Sequence, residues 1–158
     1  MTQVLVVCTG NICRSPLAES LMRAELKRFG AVETIVSSAG TGAWEGAPAS
    51  EGAYLVGLER DIDLSHHRAR LLTRDLVRES DLILTMARHQ RARVEDLGGE
   101  GKVHLLGEYA GLTHAEAEVS DPFGAGLEIY REAFDKLEDL AEIAAERFVR
   151  ERSEPHSR

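Results

Sequence analysis

Cysteine is scarce in this chain: among 158 residues only Cys8 and Cys13 carry a thiol. Two cysteines this close together cannot build the disulfide framework of a small secreted scaffold, so reduced thiols in a reducing compartment are expected. Long apolar runs are missing too, none approaching the ~18 residues a membrane span needs. The N-terminus has neither the basic start nor the apolar stretch of a signal peptide. A cytoplasmic protein with no membrane partner is the expectation. Positive charge is in deficit: the formal net charge is -8, with Lys and Arg interspersed among Asp and Glu. That argues against nucleic acid as a partner, because phosphate-backbone recognition needs a basic face. An anionic ligand would need a pocket made positive locally. No pair of the six histidines has the spacing and neighbours of a zinc motif, so no metal is expected.

What is present is an ordinary composition, 43% apolar and 29% charged, in a length that suits one domain with a single core. Residues 1–150 are read as that domain, and 151–158, which include the polar stretch "RSEPHSR" (152–158), as a frayed tail. Residues 4–7 are a continuous apolar, β-branched run, the mark of a strand covered on both faces in a parallel sheet. Residues 34–38, 82–85 and 103–106 read as further strands. Leu17, Ala18, Leu21, Met22, Leu26 and Phe29 share half of a helical wheel, with Gly30 as a stop, and another helix is expected over 51–60. Strands alternating with helices predict an α/β fold around a parallel sheet. In the final helix Leu127, Tyr130, Phe134, Leu137, Ala141, Ala144 and Phe148 trace one apolar stripe. Packing onto the sheet is its plainer use and a coiled-coil seam the other, so a monomer or weak homodimer is expected.

The first strand runs into "CTGNICRSP" (8–16). In open α/β sheets ligands gather at the carboxyl ends of strands, and helix N-terminal amides point into the first strand-to-helix loop. Gly10 permits close backbone approach and Asn11 tolerates the left-handed conformation. The successive amides of Thr9, Gly10, Asn11, Ile12, Cys13, Arg14 and Ser15 can then curl into a nest for phosphate oxygens. Ser15 and Pro16 suit the N-cap and first helical positions. A thiol of pKa ~8.5 falls to ~3.5–7.5 beside a helix N-terminus and a cation, so Cys8 is expected as a thiolate nucleophile. Arg14 supplies a planar fork for two oxygens of a phosphoryl group. Without this context Cys8 would be a small buried residue at a strand end and Arg14 a surface charge. The loop lacks the second Gly, Lys and Ser or Thr of the ATP-binding loop.

This stretch resembles the signature of the low-molecular-weight protein tyrosine phosphatase family, a Cys, five residues and Arg-Ser. The similarity continues in "SSAG" (37–40), "LTMA" (84–87) and "DPFG" (121–124), across nearly the full chain. The resemblance implies a three-layer α/β/α, flavodoxin-like doubly wound fold with a central four-stranded parallel sheet. It also implies phosphomonoester hydrolysis through a phosphocysteine, with no metal or other cofactor. By the same match Asp121, kept extended by Pro122, is the general acid and then the base that activates water. From its own residues alone it could start a turn or cap the last helix. The family further implies a reversible Cys8–Cys13 disulfide that protects the nucleophile, and places His67 of "HHRAR" (66–70) as a brace for the loop asparagine. Ser15 is expected to direct its hydroxyl at the Cys8 sulfur, and Asn11 to fix the loop through side-chain hydrogen bonds.

Trp44, the lone tryptophan, lies in the Gly-rich loop "AGTGAWEGAPAS" (39–50) and is read as a substrate contact. With Phe123 it would wall a slot for a phenyl ring. The resemblance divides over the substrate. Tyrosine-directed members usually carry two aromatics after Asp-Pro, whereas Gly124 follows Phe123 here, as in relatives that hydrolyse phosphoarginine. Those relatives tend to have Thr where Ile12 stands. An apolar Ile12 leaves a guanidinium unpaired and packs well against a phenyl ring. Phosphotyrosine on a protein substrate is therefore expected and phosphoarginine is the alternative, with phosphate, vanadate and arsenate as ligands. An arsenate reductase is disfavoured because no cysteine follows Cys13, and a non-catalytic phosphate-binding module because both Cys8 and Asp121 are present.

Overall fold

Val4, Leu5, Val6 and Val7 are each at most 1% exposed, and topology explains why. They form the middle of β1 (Thr2–Cys8) in this computed structural model, which describes residues 1–153. The other strands are β2 (Thr34–Gly40), β3 (Leu82–Thr85) and β4 (Val103–Leu105), all parallel, in the order β2-β1-β3-β4. The helices are α1 (Arg14–Arg28), α2 (Glu51–Glu59), α3 (Arg74–Glu79), α4 (Arg88–Val94), α5 (Leu106–Tyr109) and α6 (Leu127–Ser153). Alternate side chains of β1 serve two cores. Val4, Val6 and Cys8 join the larger one with residues of α1, α2, α5 and α6, while Leu5 and Val7 join the smaller with Val77 of α3 and Val94 of α4. The result is a three-layer α/β/α fold with a four-stranded parallel sheet of flavodoxin-like order.

Local chemistry sets the helix ends. Gly30 takes φ +91°, the Gly30 amide bonds to the Lys27 carbonyl and the Ala31 amide to that of Leu26, a left-handed stop after α1. At the other end α1 begins at Arg14 rather than Leu17, because the loop before it closes directly into the first turn. Leu106, read as the end of a strand, opens α5 instead.

The α6 stripe from Tyr130 to Phe148 is consumed inside the larger core, so it offers no seam for a coiled coil. Leu127, counted in that stripe, is 36% exposed. The helix also runs through Ser153, so residues 151–153 are helical where a frayed tail was expected; residues 154–158 of that tail lie outside the described residues. No helix among the described residues is long and apolar enough to cross a membrane.

β1 and β2 end in register, Cys8 opposite Gly40. A Cβ on Gly40 would lie 2.4 Å from the Thr9 carbonyl oxygen and 2.9 Å from the Asn11 amide nitrogen. Glycine there lets the loop after β1 fold back over the carboxyl edge of the sheet.

Candidate active site

The loop after β1 wraps around a sulfur. Asn11 adopts φ +57°, the left-handed turn that only a few residue types accept, and its amide donates to Cys8 Sγ at 3.2 Å. The Ser15 hydroxyl is 3.0 Å from the same sulfur, and Cys8 itself is 2% exposed. Cys13, not Ser15, occupies the N-cap of α1 and contributes no side-chain cap. Ser15 therefore sits inside the helix, where its hydroxyl faces Cys8 and Asn11. The first amides of α1 are left without a side-chain acceptor, which is what an anion site requires.

Asn11 is fully buried and uses its whole amide. Nδ2 donates to Ser15 Oγ at 2.8 Å and to Ser38 Oγ at 2.9 Å, and Oδ1 accepts from the Arg70 amide at 2.8 Å. His67 lies 2.6 Å from the Asn11 carbonyl oxygen through Nε2; since a carbonyl only accepts, Nε2 carries the proton. Thr9 is anchored from α4, its hydroxyl accepting from Gln90 Nε2 at 3.0 Å and lying 3.3 Å from His89 Nε2. Gln90 is itself held by the Met86 and Ala87 amides, each 2.9 Å from Oε1.

Arg14 is 5% exposed, yet its guanidinium is only partly satisfied. Nη1 donates to the Val119 carbonyl at 2.8 Å, Nη2 is 3.7 Å from Asp121 Oδ2, and Nε is buried with no partner among the described residues. An orphaned buried donor on a permanent cation calls for an anion. Asp121 is 53% exposed in its side chain, with Oδ1 accepting from the Phe123 amide at 3.1 Å. Together Cys8, Thr9, Gly10, Ile12, Cys13, Arg14, Asp121 and Phe123 line a cleft of about 210 Å³.

Trp44 is not brought to that cleft: it is 84% exposed and absent from the lining, so Phe123 stands there without the second wall expected of Trp44. The segment bearing Trp44 instead bonds along residues 69–71, through Gly46 and Ala47 to Ala69 and through Glu45 to the Leu71 amide. Both thiols are free. Cys13 Sγ contacts Ser50 Oγ at 3.2 Å and Tyr130 Oη at 3.3 Å, and burial pushes its thiol pKa up. Burial likewise pushes the Tyr130 hydroxyl up to about 12. A Cys8–Cys13 bond would require Cys13 to leave these two hydroxyls.

Several residues of the site carried little signal in the sequence. Ser38 and Arg70 lie in the stretches 37–40 and 66–70 with no role apparent from the residues, Tyr130 reads only as core, and nothing in the sequence singles out Gln90 or Glu19. Their contacts span 19 to 117 residues or depend on a hydroxyl proton's direction, neither of which spacing reveals.

A parallel sheet whose first loop closes around a buried cysteine, with an arginine at the start of the next helix, defines a cysteine-dependent phosphatase. The chain belongs to the low molecular weight phosphotyrosine protein phosphatase family, whose model matches residues 3–154. It is 39% identical over 155 residues to the low-molecular-weight protein-tyrosine-phosphatase Wzb of Salmonella typhimurium, covering 97% of this chain and 98% of that one. It is 34% identical over 151 residues to the protein-arginine-phosphatase of Bacillus subtilis, covering 94% and 98%. The solved structure of YwlE arginine phosphatase from Geobacillus stearothermophilus matches with a TM-score of 0.86 at 32% identity, over 100% of this chain and 99% of that one. Wzb from Escherichia coli K30 in complex with sulphate matches at 0.82 and 31%, over 92% and 97%.

Proposed function

We propose that the protein hydrolyses phosphotyrosine monoesters on protein substrates, with Cys8, Arg14 and Asp121 as its catalytic residues. The observation that carries this reading is the buried Arg14 guanidinium with its unpartnered Nε in the same cleft as Cys8 Sγ and Asp121. The phosphoryl oxygens would take the amides of residues 9–15 and the free edge of Arg14. Cys8 Sγ attacks phosphorus as the phosphate-ester bond breaks, and Asp121 passes a proton to the departing phenolate. In the second half Asp121 takes a proton from water, which attacks the phosphocysteine and releases phosphate and the sulfur. Ser15, at 3.0 Å, is placed to donate to that leaving sulfur.

Ile12 supports phosphotyrosine over phosphoarginine. It is a half-buried apolar wall, and among the described residues Asp121 is the sole carboxylate lining the cleft, so a guanidinium would find its partner there in the proposed acid. The phosphoarginine reading keeps the support of the single aromatic before Gly124 and of the similar arginine phosphatases. Matched phosphotyrosine and phosphoarginine peptides decide between them by kcat/KM. Wild type is expected to favour phosphotyrosine, and Ile12→Thr to move the ratio about tenfold or more towards phosphoarginine. A wild-type preference for phosphoarginine overturns the assignment.

A further inference from the structure

A line of hydrogen bonds leads from the nucleophile to a carboxylate outside the cleft. Cys8 Sγ meets Ser15 Oγ at 3.0 Å, Ser15 Oγ accepts from Asn11 Nδ2 at 2.8 Å, and the same nitrogen donates to Ser38 Oγ at 2.9 Å. Ser38 Oγ then donates to Glu19 Oε1 at 2.6 Å. Donor and acceptor chemistry sets the direction of every link. The Arg70 amide can only donate, and it meets Asn11 Oδ1, so the amide nitrogen must face the two serines. An ionised carboxylate can only accept, so the Ser38 proton points at Glu19 and its lone pairs face Asn11. Both amide protons are then engaged. Ser15 Oγ, already an acceptor, has its own proton left for the sulfur.

We infer that Glu19 is a positioning residue of this phosphatase, acting through Ser38 and Asn11 to hold the Ser15 hydroxyl as a donor to Cys8. The inference rests on Cys8 as the nucleophile that leaves in the second step. Glu19 is outside the cleft lining and touches no reacting atom. Its Oε2 forms an i,i+4 pair with Arg23 at 2.5 Å, a surface interaction that contributes little by itself. The Ser38 contact is of another kind. Ser38 is 4% exposed and Asn11 0%, so bulk water cannot replace a lost acceptor. Turning the Asn11 amide over gives no relief, because its NH₂ would then face the Arg70 amide, donor against donor. Without Glu19 the buried network has no equally satisfied arrangement, and the alignment of Ser15 on the sulfur is what loosens.

Variants at position 19 separate reach from charge. Glu19→Gln keeps an acceptor oxygen at the same length without the charge; Glu19→Asp keeps the charge but draws the oxygen back by one methylene; Glu19→Met removes the acceptor. With p-nitrophenyl phosphate, kcat is expected to fall about tenfold in Glu19→Asp and Glu19→Met with little change in KM, while Glu19→Gln stays within about threefold of wild type. Arg23→Met, which breaks the surface pair and the bond from Arg23 to the Val36 carbonyl but leaves the Glu19 acceptor of Ser38 in place, is expected to match wild type. In a Ser15→Ala background Glu19→Asp should cost nothing more, because the end point of the relay is gone. Wild-type kcat in Glu19→Asp, an equal fall in Glu19→Gln, or losses that multiply with Ser15→Ala would each overturn the positioning role. Should Glu19→Met not fold, the Asp and Gln pair decides. Full activity in Cys8→Ser would instead remove the nucleophile reading underneath, a separate outcome.

Discussion

Asp121 is the most solvent-open of the three proposed catalytic residues, its side chain 53% exposed against 5% for Arg14 and 2% for Cys8. The division suits their tasks. A clamp and a nucleophile gain from low dielectric, whereas a group that gives a proton to a leaving oxygen and then takes one from water must reach both. Asp121→Ala is expected to slow aryl phosphates with poor leaving groups by about 10² to 10⁴-fold, and those with good leaving groups much less. A plot of log kcat against leaving-group pKa, steep in the variant and shallow in wild type, checks this; equal slowing across the series would end its role as the acid. The residue types of the site were legible because the chemistry restricts them: a thiol, a guanidinium, a left-handed Asn and a carboxylate before proline. Trp44 misled because loop position and aromatic character say nothing of direction, and its loop is tied to residues 69–71 instead of to the cleft.

Among elements, the junction of β1 with β2 carries the site, and its demand falls on one atom. Gly40→Ala would drive a Cβ to 2.4 Å from the Thr9 carbonyl oxygen, backbone that cannot rotate away. Overpacking of this kind costs about 1–3 kcal/mol, and the loop must shift to accommodate it. Gly40→Ala is expected to lower Tm by several degrees and to lower kcat/KM by about 100-fold or more, since a loop displaced by an ångström loses aligned donors. Gly42→Ala is the control: its Cβ would meet only Thr9 Cγ2 at 3.9 Å, an ordinary contact, and both readings should stay near wild type. Activity and Tm measured together check the pair, and an unaffected Gly40→Ala would show that the loop does not need this approach. The sequence pattern found the strands closely, because a doubly covered strand is apolar at every position. It placed the start of α1 late and Ser15 at its cap, because the cap is left open for a ligand and the usual rule for helix ends does not apply.

At the scale of the whole molecule, a second titrating cluster lies at the opposite, amino edge of the sheet. Among the histidines, His104 of β4 is held below its ordinary value of 6.5, chiefly by burial and then by Arg147, which stacks 4.0 Å over the Tyr109 ring. Tyr109 donates to Glu151 at 3.1 Å, and Glu151 accepts from Arg147 at 2.8 Å. As pH falls below 6.5 the unfolded chain takes up the His104 proton before the folded protein does, so stability falls with pH from there down to the folded-state value. The carboxylates Glu59, Asp63 and Glu151, all held below their ordinary values, add losses only at more acid pH. Tm measured from pH 7 to 5 should decline in wild type and decline less in His104→Gln; the same slope in both would remove His104 as its source.

From residue order alone came the alternation of strands and helices, the anion loop and the types of its reactive groups, for these are local: period, φ preference and side-chain chemistry act within a few residues. Tertiary packing alone decided that Gln90 grips Thr9, that Tyr130 and Ser50 hold Cys13, that Trp44 stays out of the cleft, and that Glu19 is joined to the sulfur through two serines and an amide. A hydrogen bond depends on where a donor and an acceptor stand within about 3 Å of each other, and no spacing along the chain carries that distance.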